Sequence, residues 1–325
     1  MYAPILVTDH DWFEYLAAHG PHDEVNFWRP SDQRKPSLSP GTPVIFKLKK
    51  PYGGWIVGYG LFARHELVPA WLAWEAFGDK NGAADLSGML QRLEDLRRGG
   101  GSGRGVPGVS THGARAGDYT IGCLMLSQPA FLQREAWVRP PAGWPDNTVQ
   151  GKGYDLTEGE GARVWHEVLS AAGVQRAGAS MSGSTAPGAT AGQRYGEPMV
   201  VRPRLGQGTF RIAVTATYKG ACAVTQEHSL PALEAAHIRP FAEEGLHEVS
   251  NGLLLRSDIH RLFDKGYVGV TPEYRFVVSK ALKDDFENGR SYYPLHGRQI
   301  WLPGNVAERP GATMLKWHLG ERFRG

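Results

Sequence analysis

The sequence predicts an α+β protein in two parts, a curved, barrel-like sheet with flanking helices followed by a smaller C-terminal unit. Three observations carry that reading. Strand-like runs alternate with helix-like ones through the first 175 residues. A charge-free stretch of small residues then interrupts the chain. Beyond it, residue types suited to hydrolytic chemistry crowd into a single segment, 222–270.

Thr42–Lys50 (TPVIFKLKK) and Gly54–Ala63 (GWIVGYGLFA) are β-branched and aromatic runs on either side of the Pro-Tyr-Gly-Gly turn at 51–54, which makes them a strand pair. Pro69–Gly78 (PAWLAWEAFG) has the spacing of an amphipathic helix stopped by glycine. Ser87–Arg98 repeats leucine at 90, 93 and 96, the period of a second helix. Asp118–Leu132 supplies a buried strand and Gly161–Gly173 a closing helix. Ala177–Gln193 (AGASMSGSTAPGATAGQ) buries too little surface to offset its ordering entropy and reads as a flexible tether. The expected division is therefore a first domain at 1–175, a linker at 176–196 and a second domain at 197–325. Arg97–Gly108 (RRGGGSGRGVPG) reads as a loop within the first domain, and no internal repeat is present.

Composition narrows the classes. Of 325 residues, 41% are hydrophobic and 21% charged, which excludes a wholly disordered chain. No apolar run approaches the ~18 residues of a membrane span, and MYAPILVTDHDWFEY lacks the basic start and apolar centre of a secretory signal. Cys123 and Cys222 lie too far apart in sequence for a CxxC knuckle, and two cysteines build no disulfide framework. A cytoplasmic protein with no membrane partner is expected. The net charge is +3, and residues 197–325 hold all of it, with 17 Lys and Arg against 14 Asp and Glu. That asymmetry is a mild pointer to a polyanionic partner for the second domain.

The chemistry-bearing stretch is CAVTQEHSLPALEAAHIRPFAEEGLHEVSNGLLLRSDIHRLFDKGYVGV. His237 sits in the apolar, strand-like AAHIRP; Asn251 opens NGLLL; His260 and Asp264 are four residues apart in SDIHRLFD, hence on one face of a helix at metal-ligand spacing. Taken singly, each has an ordinary structural reading. Jointly they resemble an HNH nuclease of the ββα-metal fold, in which two strands and a helix hold one divalent cation. The resemblance implies His237 as general base, His260 and Asp264 as metal ligands, and Asn251 as a clamp on the loop that carries His237. Arg239, Arg256 and Arg261 are placed to meet phosphate oxygens. The residue types suit the reaction, since a neutral imidazole can take a proton from water near pH 7 and a cation can neutralise the scissile phosphate.

Two departures bear on the metal. Many HNH nucleases carry a ligand immediately before the catalytic histidine, and here that residue is Ala236. The cation would rest on His260 and Asp264, with Glu234 as a further candidate; such an oxygen-rich, water-filled shell suits Mg²⁺ or Mn²⁺, with Mg²⁺ preferred, while two imidazole-type ligands would suit Zn²⁺ or Ni²⁺ better. The four-cysteine zinc staple of many relatives is reduced to Cys222, so no structural zinc is expected. Upstream, RPRLGQGTFR places Arg204 and Arg211 among glycines, either as a phosphate-binding lead-in or as a loop capping the nuclease. His228, His247, His296 and His318 read as structural or solvent-facing, and Trp301, Leu315, Trp317 and Phe323 should pack the C-terminal tail back on the domain.

An HNH module contacts mainly backbone, so the first domain is expected to choose the target. Residues 1–170 resemble PUA-superfamily readers such as EVE domains, distant relatives of the SRA domain, on the order FWRPS, strand–Gly-Gly–strand, AWEAFG. Readers of that kind flip a nucleotide and stack it between aromatic faces. The implied cage is Trp28, expected in a loop beside Arg29 and Pro30, with Trp55 and Trp74, Ser31 and Asn81 as edge donors and Lys47, Lys49 and Lys50 on the flanking backbone; Trp71, Trp137, Trp144 and Trp165 are left to the core. The function implied is a modification-dependent restriction endonuclease that reads 5-methylcytosine or 5-hydroxymethylcytosine in double-stranded DNA, with a homodimer as one route to double-strand breaks. Two alternatives stay open: a first domain that reads an unmodified sequence or another mark such as a sulfur-substituted backbone, and a DNA-binding protein whose nuclease site is degenerate.

Overall fold

The computed structural model describes residues 1–30, 36–99, 116–145, 148, 150–181, 205–240 and 247–325. They fall into two compact units, Met1–Pro203 and Arg204–Gly325. The first contains β1 (Tyr2–Thr8), α1 (His10–Ala18), β2 (Glu24–Arg29), β3 (Pro43–Leu48), β4 (Ile56–Pro69), α2 (Ala70–Phe77), α3 (Leu86–Gly99), β5 (Thr120–Phe131), β6 (Gly151–Asp155) and α4 (Gly159–Met181).

Its six strands form one mixed sheet in the order β2-β5-β4-β3-β1-β6, parallel only between β1 and β3. Strand alternation explains how both faces are covered. Ile5 pairs with Ile45 and Leu6 with Phe46, so neighbouring residues face opposite ways. On one face Ile5, Ile45 and Tyr59 meet Val164, Val168 and Ala172, a helical stripe of α4. On the other, Phe46 and Phe27 pack edge-on against Trp12 of α1, at ring separations of 5.4 and 5.2 Å. Asp9 starts α1 by accepting the Trp12 N–H at 3.1 Å.

Several expectations change here. Among the described residues the first sheet is mixed and does not close, with β2 and β6 at its edges, where a curved, PUA-like β-barrel was expected. The α4 helix continues to Met181, into the stretch read as tether from Ala177; residues 182–196 lie outside the described set, as do residues 100–108 of the expected Gly-rich loop. Trp71 is buried as expected, and Trp137, Trp144 and Trp165 pack against the first unit's core.

The second unit contains α5 (Gln207–Thr217), β7 (Leu233–His237), β8 (Gly252–Arg256), α6 (Ser257–Asp264), β9 (Val268–Val270), β10 (Phe276–Val278), α7 (Ala281–Phe286) and α8 (Ala312–Glu321). β7 and β8 form an antiparallel hairpin in which His237 is opposite Gly252 and Leu233 opposite Arg256, and α6 follows β8 without a break. This is a strand–strand–helix unit. Its core joins Phe210 and Val214 of α5, Leu253–Leu255 of β8, Ile259 and Phe263 of α6 and Leu315 of α8, with Trp301 packed at the margin. GQGTFR, part of the segment read as a phosphate-binding lead-in or a capping loop, instead opens α5, with Gly206 at its N-cap.

Two glycines are required by this packing. A Cβ on Gly252 would lie 2.5 Å from Val214 and 3.0 Å from the Phe210 ring, so only glycine lets α5 press onto the hairpin. Gly266, at φ +75°, turns the chain after α6 and accepts the Arg324 N–H at 2.9 Å, which closes the C-terminal tail over the helix.

Candidate active site

The hairpin and α6 place the predicted residues by simple geometry. On α6, Ile259 and Phe263 are one turn apart and buried, so His260 and Asp264, each one position later, lie on the adjoining strip that borders solvent. His260 Nε2 is 3.4 Å from Asp264 Oδ2. Its Nδ1 is 2.6 Å from Oε2 of Glu234 on β7. A carboxylate on Nδ1 fixes that nitrogen as the N–H donor, which leaves the Nε2 lone pair facing a second carboxylate. Two acceptors turned toward each other call for a proton or a cation between them. Partial burial raises the Asp264 carboxyl above its ordinary value, an effect that His260 opposes and Glu234 reinforces.

His237 ends β7. Its ring lies flat on Phe210, with centroids 3.8 Å apart and planes 10° from parallel, and its Nε2 is 2.9 Å from His247 Nδ1. Burial, then the nearby rings of His247 and His260, push the His237 imidazole down to about 4. The ring is neutral at pH 7, the state a general base needs.

Asn251 is 1% exposed and immediately precedes β8. Its Oδ1 accepts the Arg239 N–H and its Nδ2 donates to the Arg239 carbonyl, each at 2.9 Å. The asparagine thus holds the backbone two residues beyond His237. The Arg239 guanidinium lies 5.4 Å from the Trp317 ring centre, a stacking partner delivered by α8.

The remaining basic residues differ in their freedom. Arg261 is exposed on α6 and Arg211 half-buried on α5, while Arg204 lies outside the described residues. Arg256, expected to meet phosphate, has its guanidinium bound in a bidentate pair to Asp258, at 2.8 and 2.6 Å, with Tyr292 donating to the same carboxylate at 3.0 Å. That pairing holds Asp258 down at about 2 and makes Arg256 a local brace.

The donor set is sparse for the divalent cation that HNH nucleases generally use. Among the described residues no three His, Cys, Asp or Glu side chains group to hold a metal, and Ala236 is fully buried in the core. What converges is a two-donor opening, His260 Nε2 and Asp264 Oδ2, with Glu234 behind the imidazole. This fits a hard cation that keeps much of its water and not a closed zinc cage.

The first-unit candidates are only partly brought together. Trp28, expected in a loop, is on β2 and 6% exposed, and its indole N–H donates to the Asn81 carbonyl at 2.8 Å. Asn81, expected as an edge donor, spends both amide hydrogens on the Ala73 and Gly78 carbonyls and accepts from Asn26. Trp74 is half-buried on α2 beside that network. Trp55 is elsewhere: it precedes Ile56 at the start of β4, whereas Trp28 is opposite Cys123, itself paired with Glu66 near the other end of β4. Ten strand residues separate the two positions by roughly 30 Å of extended chain, so Trp55 does not join that cage. Ser31 lies outside the described residues. Lys47 is buried, with its amine on the Leu48 carbonyl and 5.0 Å from the Trp144 ring; Lys49 and Lys50 stay exposed.

The sequence reading takes His247 as structural or solvent-facing and does not single out Phe210. His247 is ten positions from His237 in a stretch with no periodicity, and only closure of the hairpin makes the two rings neighbours.

Residues 222–271 match the HNH_2 family model, described as HNH endonuclease. Among solved structures, the chain is similar to a "Modification dependent TagI restriction endonuclease", with 15% identity over 94% of this chain and 78% of that one, at a TM-score of 0.27. No curated protein gives a significant match. The segment that carries His237, Asn251 and His260 therefore lies within the residues that match the HNH endonuclease model.

Proposed function

We propose that this chain is a cytoplasmic, modification-dependent DNA endonuclease, whose first unit reads 5-methylcytosine or 5-hydroxymethylcytosine and whose second unit hydrolyses the backbone. The observation that carries the nuclease part is the hairpin itself: a neutral imidazole at its tip, an asparagine clamp beside it, and a His–Asp opening on the following helix. The support for the reader is the order of motifs in the first half and the corner where Trp28 and Asn81 meet α2, which carries the half-buried Trp74.

In this reading water attacks the phosphorus in line, His237 takes its proton, and the bond to the 3′ oxygen breaks, that oxygen taking a proton from solvent, to leave a 3′-hydroxyl and a 5′-phosphate. Asn251 keeps Arg239 and the end of β7 in place while the substrate is held, and Arg239, Arg261 and Arg211 meet phosphate oxygens. His260 and Asp264 would hold a divalent cation, Mg²⁺ by preference, which supplies charge neutralisation at the scissile phosphate. One such site cuts one strand, so a double-strand break takes a homodimer or two visits.

The test is digestion of matched duplexes that differ only in cytosine, 5-methylcytosine or 5-hydroxymethylcytosine. Faster cleavage of a modified duplex supports the whole proposal. Equal rates on all three remove the reader and leave the nuclease. Binding without nicking in Mg²⁺ or Mn²⁺ makes the chain a DNA-binding protein, the outcome that Ala236 and the two-donor opening would then explain.

A further inference from the structure

We propose that His247 is a positioning residue for His237: its Nδ1 accepts the His237 Nε2–H and thereby leaves Nδ1 of His237 as the nitrogen that takes the proton from water. The inference rests on the nuclease reading above and extends it to a residue outside the His–Asn–His pattern.

The geometry is specific. Two ring nitrogens 2.9 Å apart need one hydrogen between them, because two lone pairs repel at that distance and two N–H groups collide. Either His237 donates from Nε2, or His247 donates from Nδ1. The two cases have opposite consequences for catalysis. If His247 donates, the neutral His237 carries its own hydrogen on Nδ1 and has no lone pair left to offer a substrate. If His237 donates, Nδ1 is bare, and it has no protein partner among the described residues. Only the second arrangement leaves a base.

The surroundings restrict the ring to that use. Phe210 fixes its plane from below at 3.8 Å, and the His247 ring meets it from the edge, with centroids 4.9 Å apart at 66°. A stacked ring can still flip about its Cβ–Cγ axis, which would put Cδ2 and Cε1 where Nδ1 and Nε2 stand. The hydrogen bond to His247 opposes that flip. When Nδ1 gains its proton, His237 becomes an imidazolium with both nitrogens as donors, and the bond from Nε2 to His247 persists through the step. No proton has to leave through His247. Its part is orientation, the same part a hydrogen-bonded third group plays for a catalytic histidine elsewhere.

Full-length protein with ¹⁵N-labelled histidine tests this, since two-bond ¹H–¹⁵N correlations distinguish the two tautomers of each ring. The expected result is the Nε2–H tautomer for His237 in the wild type at pH 7, and a mixture of tautomers in His247→Phe. Under single turnover, His247→Phe should cleave at least tenfold more slowly with unchanged DNA affinity, and His247→Asn, whose amide oxygen can take the place of Nδ1, should recover most of the rate. A wild-type His237 that carries its hydrogen on Nδ1 overturns the proposal. So does a His247→Phe protein with an unaltered tautomer and rate. If the wild type cuts no DNA at all, the nuclease reading has failed, and the spectrum still shows whether His247 orients the ring.

Discussion

Asn251 grips Arg239 by both polar groups of one peptide residue: Oδ1 takes the N–H and Nδ2 gives to the carbonyl, at 2.9 Å each. A carboxamide matches a backbone amide in this reciprocal way and no other short side chain does. Because Arg239 is two residues beyond His237, the grip sets where β7 ends. Asn251→Ala should leave two inward-facing backbone groups unpaired and cost about 2 kcal/mol of stability. The effect on cleavage should be larger, about 100-fold in the single-turnover rate, because a small displacement of the base is amplified in the transition state. Paired denaturation and cleavage measurements check this, with Asn251→Asp keeping the acceptor but failing to restore the rate.

Glu234 stands behind His260, 2.6 Å from Nδ1. Glu234→Gln keeps an acceptor there but removes the charge that makes the imidazole a better donor to a cation. The concentration of Mg²⁺ or Mn²⁺ needed for half-maximal cleavage should rise about 10- to 100-fold, with the rate at saturating metal nearly unchanged. His260→Ala should not be rescued by added metal. Metal titrations of the three proteins separate the outcomes, and an unshifted Glu234→Gln curve would place the cation away from this imidazole.

Trp74 and Trp55 make a matched pair of tests for the reader. Both rings are half-buried, but Trp74 follows Ala73, whose carbonyl accepts from Asn81, and Trp55 lies at the far end of β4. Trp74→Ala should reduce the preference for modified over unmodified duplex by about 5- to 100-fold, the value of one stacked base. Trp55→Ala should leave that ratio as it is. Competition cleavage on mixed substrates measures both.

How far the sequence could be read differs between the two units, for a physical reason. In the second unit the informative contacts are local: α6 follows β8 directly, the hairpin spans fewer than 25 residues, and the four-residue step from His260 to Asp264 fixes their shared face. The helices of the first unit were also legible, because Pro69–Gly78 and Ser87–Arg98 carry their own period and stops. Trp28 was misplaced because FWRPS contains turn residues, while its strand is specified by pairing with β5, about a hundred positions away. Barrel closure likewise depends on long-range strand order, and β2 and β6 turn out to be open edges. The His237–His247 pair is legible only after the hairpin is built.

His318 predicts how the second unit responds to acid. It is 2% exposed, stacked on Phe263 with ring centroids 3.7 Å apart, and bonded through Nε2 to the Phe263 carbonyl at 3.0 Å. Burial pushes it down to about 4. The unfolded chain therefore takes up the proton first, near pH 6.5, and the folded chain only near 4. Stability is fully present above about 6.5 and falls across the window to about 4, by about 3 kcal/mol from this residue. Denaturant midpoints measured from pH 7 to pH 4 should show that slope together with a like contribution from His237, and His318→Phe should remove about half of the total.

The most direct test of the nuclease site is His237→Ala against the wild type, on a plasmid carrying 5-methylcytosine, in Mg²⁺ and in Mn²⁺, with DNA binding measured on the same preparations. The expected result is cleavage by the wild type, loss of at least about 100-fold in rate for His237→Ala, and equal binding by both. A His237→Ala protein that cuts as fast as the wild type would contradict the assignment of this imidazole as the base.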